Sequence, residues 1–147
     1  MPYYAGEVGP CSWVVLFESL TEADVEAFAA RIEALGNVRD PRYVVLDIAH
    51  GLGLPTPLQR KRITTAVESA IANKGTLAGH ALATNSIAAR GVLTAINWFV
   101  ERPFEEKIFS NPADALTWLA SLNPKVDPVE VLDHIGRAVP HFSKLRW

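Results

Sequence analysis

The chain of 147 residues has one cysteine, one methionine, four histidines and little imbalance of charge. Cys11 cannot close an internal disulfide, so the core must hold without covalent help, as suits a reducing compartment. Fourteen Lys and Arg stand against sixteen Asp and Glu, a formal net charge of −2. No broad field exists to hold nucleic acid or an anionic membrane. No apolar run approaches the ~20 residues that cross a bilayer. The start, Met1-Pro2-Tyr3-Tyr4, lacks the charged and apolar stretches of a signal peptide. Together these absences predict a cytoplasmic protein with neither nucleic acid nor a membrane span among its partners.

What is present is ordinary for a globular domain: 49% hydrophobic and 20% charged residues. Apolar runs alternate with amphipathic segments. Trp13–Phe17, Tyr43–Ile48, His80–Thr84 and Lys107–Phe109 read as strands. Between them the capping signals are strong. Thr21 with Asp24 opens a first helix, whose Val25, Phe28, Ile32 and Leu35 recur at helical spacing before Gly36-Asn37 stops it. Thr56-Pro57-Leu58-Gln59 opens a second, ended by Gly75. Ser86 begins a third that runs to about Val100, and Asn111-Pro112 a fourth that runs to Leu122. Asp127-Pro128 opens a fifth through Val139.

Strands joined by helices of this length pair in parallel with right-handed crossovers. The expected fold is therefore α/β: four β-α units forming a mostly parallel sheet with helices packed on it, plus an extra C-terminal amphipathic helix. With no repeat or long linker, residues 1–147 read as one domain, core about 13–122 and helical extension about 124–147.

Several residues carry a family resemblance. Val44-Val45-Leu46-Asp47 ends a strand on aspartate. Ala83-Thr84-Asn85-Ser86 precedes Arg90-Gly91, and Phe109, Ala115 and Trp118-Leu119 close the pattern. With the element order, these make Trp13–Leu122 resemble the STAS-type regulatory domains, in particular the branch similar to sporulation anti-sigma factor antagonists. The resemblance implies a cofactor-free, non-enzymatic module that binds a protein partner in signal transduction. It also implies a phosphorylatable serine at the start of the second helix, in an Asp-Ser-Ser-Gly-like motif. Here that region reads Gly51-Leu52-Gly53-Leu54-Pro55-Thr56-Pro57, with Thr56 at the equivalent place and proline after it. Lipid-binding relatives of the fold make an apolar small molecule the rival expectation.

Candidate sites follow. Thr56 with Arg60, Lys61 and Arg62 forms a candidate phospho-switch or anion site, since a helix start favours phosphate. The plainer expectation is a cap beside a solvated polar surface. Gly51-Leu52-Gly53 lacks the remaining residues of a phosphate loop and reads as a turn with positive φ at both glycines. Asp47, His50 and Ser86 contain the atoms of a hydrolase triad, but no nucleophile elbow precedes Ser86, which reads as a cap. His50, His80, His134 and His141 show no metal-ligand spacing.

The third helix is apolar over about 240° of its circumference, more than one sheet can cover. Ile87, Leu93, Trp98 and Val100 mark its surplus flanks as a candidate partner or ligand surface. The fifth helix, with Val131, Leu132, Ile135 and Val139 on one side, is the expected cover. A second copy of the chain and an apolar ligand are the alternatives.

Overall fold

The computed structural model describes residues 3–18 and 20–147, with the side chains of Trp98 and Phe99 outside the description. Each helix starts where a side chain satisfies its free N–H groups. α1 (Glu22–Leu35) carries a capping box: Asp24 N donates to Thr21 Oγ1 at 3.1 Å, and Thr21 N to Asp24 Oδ2 at 2.9 Å. α2 (Pro57–Ala72) repeats it with Gln59 N on Thr56 Oγ1 (3.2 Å) and Thr56 N on Gln59 Oε1 (3.0 Å). α3 (Ile87–Phe99), α4 (Pro112–Leu122) and α5 (Pro128–Ala138) are capped by Ser86, Asn111 and Asp127. Thr56→Ala is expected to lower the unfolding free energy by about 1 kcal/mol in urea titrations, with Thr56→Ser restoring it.

Five strands form one sheet in chain order: β1 (Tyr3–Val8), β2 (Cys11–Phe17), β3 (Val44–His50), β4 (Gly79–Thr84) and β5 (Glu105–Phe109). β2 to β5 are parallel, as expected, and β1 pairs antiparallel with β2. The expectation of four strands therefore missed one. Tyr3–Val8 has no apolar run, and Gly6 interrupts it. That glycine is required by contact, because a Cβ there would lie 2.7 Å from Cζ2 of Trp13. Gly9, at φ +54, turns the chain from β1 into β2.

Parallel strands in chain order, joined by crossovers of one hand, send α1, α2 and α3 to the same face. Strand alternation then divides the side chains. Cys11, Trp13, Val15, Val44, Leu46, Ile48, Ala81 and Ala83 point to the other face, where α4 and α5 cover them. Trp13, Leu46, Leu116, Leu119 and Ile135 are fully buried there. Burial raises the Cys11 thiol to about 12, which leaves it protonated and inert.

The C-terminal helix does fold back, but not onto α3. α5 packs against α4 and β1, with Val131, Ile135 and Val139 buried, across the sheet from α3. The expected docking on the Leu93–Val100 or Ile87–Trp98 flank is thus overturned. Three same-handed crossovers fill one face with α1–α3, and the strand residues of the opposite face are the larger bare apolar surface. No helix among the described residues is long and apolar enough to cross a membrane.

Candidate functional site

The α1–α3 face is less completely filled. α2 packs mainly against α1, and short side chains (Ala49 on β3, Ala89 on α3) leave space between helices and sheet. A cavity of about 330 Å³ results, walled by Val45, Leu82, Ile63, Val67, Leu93 and Ile96. It reaches the surface along the β3–α2 connection, where the lining residues Gly53, Leu54 and Thr56 are exposed. The wall is mostly apolar, and the volume falls within the range of small-molecule sites.

One end of the cavity is charged. Asp47, His80 and Glu106 project from neighbouring strands into it, with Arg102 beside them. Their side chains are only 8–13% exposed. His80 Nε2 lies 2.8 Å from Asp47 Oδ2, and His80 Nδ1 lies 2.8 Å from Glu106 Oε2. Arg31 donates to Asp47 Oδ1 at 3.1 Å and to Ser12 Oγ at 2.7 Å. Arg102 Nε meets Glu106 Oε2 at 2.9 Å, and Asn97 Nδ2 donates to Glu106 Oε1 at 2.7 Å. Arg102 also bonds to Asn97. The result is one hydrogen-bonded row across four strands, from Ser12 to Glu106.

The row governs its own protonation. Burial works to lower the pKa of His80, yet the two carboxylates outweigh it and raise the imidazole to about 9. Burial likewise works to raise Asp47, and His80 followed by Arg31 overcomes it, holding that carboxyl below its ordinary value. Glu106 is lowered against its own burial by His80, Arg102 and Asn97. With both ring nitrogens engaged, His80 offers no free lone pair to the cavity. The row can hold charge in place and orient a polar group, and its imidazole has no open lone pair.

The sites expected from sequence are distributed differently. Thr56 caps α2, while Arg62 is drawn away by Glu26 and Glu33, each at 2.7 Å. Arg60 and Lys61 are exposed. The four residues are close in sequence, but hydrogen bonding does not unite them. Of the α3 set, Ile87 is 88% exposed, Leu93 lines the cavity and Val100 is buried. The Trp98 side chain lies outside the described residues. These positions make no single flank. Only Gly51 of the Gly51-Leu52-Gly53 turn has positive φ, at +64, so the expectation for Gly53 is corrected. Asp47 is bonded to His80 and Arg31, His50 Nε2 to the Arg146 carbonyl, and Ser86 Oγ to the Leu52 carbonyl. The triad atoms are thus each committed elsewhere. Among the described residues no group of three His, Cys, Asp or Glu side chains is placed to hold a metal ion.

Glu106, Arg31 and Arg102 escaped the sequence reading, and His80 was weighed there only as a strand residue and a metal ligand. A signal existed: Asp47 sits in the apolar run Val44–Ala49, and a buried charge in a strand needs partners on the same face. Comparison with protein-family models, with curated proteins and with solved structures finds no match.

Proposed function

We propose that this chain acts by binding an apolar small molecule in the cavity beneath α2 and α3, without catalysing a reaction on it. The cavity itself is the observation that carries this reading. It takes up the Ala89, Val92, Leu93 and Ile96 side of α3, which α5, on the opposite face of the sheet, does not cover. The locked His80 argues for a holding role rather than acid–base work.

Native mass spectrometry of freshly purified protein, before and after organic extraction, tests this. A carried small molecule, or uptake of an apolar probe by the extracted protein, is the expected result. Val67→Phe, which fills the lumen from α2, should weaken probe binding by about tenfold or more while leaving the urea midpoint within experimental error. Undiminished binding in that variant would place the probe elsewhere.

The resemblance to STAS-type regulatory domains supports a second reading, a regulatory module that binds a protein partner. Leu54, Leu58 and Ile87, at 73%, 77% and 88% exposure, favour it as apolar contacts at the starts of α2 and α3. The same native spectra separate the two readings: this one expects a dimer or a captured protein, with no small molecule in the cavity.

A further inference from the structure

The polar end of the cavity is closed to charge but open to a hydrogen-bond donor. Among the described residues the charged side chains that line it balance, His80 and Arg102 against Asp47 and Glu106. Each carboxylate already faces two cations, Asp47 between Arg31 and His80, Glu106 between His80 and Arg102. A ligand cation therefore finds no carboxylate left to neutralise it. A ligand anion fares no better, because both ring nitrogens of His80 and the Nε of Arg102 are turned to carboxylate oxygens. A charge of either sign brought here loses its water without gaining a counter-ion.

Acceptor capacity is what remains. An ionised carboxylate offers about four lone-pair sites. Asp47 is kept ionised by His80 and Arg31, and each of its oxygens accepts one bond from them, at 3.1 Å from Arg31 and 2.8 Å from His80. It stands on β3, the middle strand, between Val45 and Ala49 on the floor of the cavity. A neutral hydroxyl brings a proton to such a carboxylate without bringing a charge, and hydrogen bonds to ionised acceptors are the stronger kind.

We propose that the ligand is an uncharged apolar alcohol, its hydroxyl donating to Asp47 and its hydrocarbon lying against Ile63, Val67, Leu93 and Ile96. The inference rests on the ligand-binding reading above and adds the chemistry of the head and the length of the tail. A cavity of about 150 Å³ holds benzene with its six carbons, so 330 Å³ accommodates roughly 13 heavy atoms, room for a ten-carbon alcohol. A ketone of that length can only accept, and so leaves Asp47 as it was.

Calorimetric titration of the extracted full-length protein tests the inference without any substitution. The probes are decanol, 2-decanone, decanoate and decylammonium at neutral pH, each below its solubility or micellar limit. Decanol should bind about tenfold or more tightly than any of the other three. Decanoate or decylammonium binding as tightly as decanol overturns the inference, because the cavity then accommodates charge. A ketone as tight as the alcohol overturns it too, because no donor is then being read. In each of these cases the cavity reading stands. Absence of binding for all four compounds overturns the cavity reading, and the inference with it.

Discussion

Asp47→Ala is expected to lower the unfolding free energy by about 3–5 kcal/mol, the usual cost of removing one partner from a buried ion pair. The substitution leaves Arg31 without its carboxylate and His80 with one acceptor instead of two. Urea titration followed by tryptophan fluorescence measures the loss. The pH profile identifies its cause. His80 is raised from 6.5 to about 9, so its contribution is complete below pH 6.5 and disappears as the pH climbs through 9. Asp47 and Glu106 are lowered, so their contribution is complete above the ordinary carboxylate range and is lost as the pH falls through their folded values. Stability should therefore peak between about pH 5 and 6.5 and fall by a few kcal/mol toward pH 9. In Asp47→Ala the alkaline fall should shrink. An alkaline limb identical in both proteins would show that His80 is not held charged by Asp47.

Deleting every residue after Asn123 should have an effect of similar or greater size. The deletion removes Val131, Ile135, Val139 and Phe142, all buried in the core cluster that also holds Trp13, Leu116 and Leu119. At roughly 1.5–3 kcal/mol per buried apolar side chain, the loss approaches the whole stability of an ordinary domain. The face uncovered is the one around Trp13, Leu116 and Leu119, not α3. Self-association, dye binding and loss of the cooperative transition are the expected results in light scattering, fluorescence and urea titration. A truncated chain that stays monomeric and as stable as the full one would show that α5 adds nothing to this face.

Legibility followed the range of the interactions concerned. Thr21, Thr56, Ser86, Asn111 and Asp127 each cap a helix where the sequence places the cap. A cap acts within three residues, so its signal is local. The parallel order of β2 to β5 was equally legible, since a helix-length crossover permits little else. β1 was not, because an edge strand with one half-buried face needs no apolar run.

By itself the sequence determined the helices, their starting points and the parallel core, all consequences of backbone hydrogen bonding and hydrophobic period over a few neighbours. Only the tertiary structure decided that α5 lies across the sheet from α3, because that choice depends on which face the earlier crossovers had filled. It alone brought Arg31, Asp47, His80, Arg102 and Glu106 into one row, across 16, 33 and 26 residues of sequence for the bonds Arg31–Asp47, Asp47–His80 and His80–Glu106. Strand register sets those meetings, and register is a property of the assembled sheet. The cavity, too, belongs to the assembly: it is the space left where α2 leans on α1 and small side chains face the sheet, and no single segment encodes it.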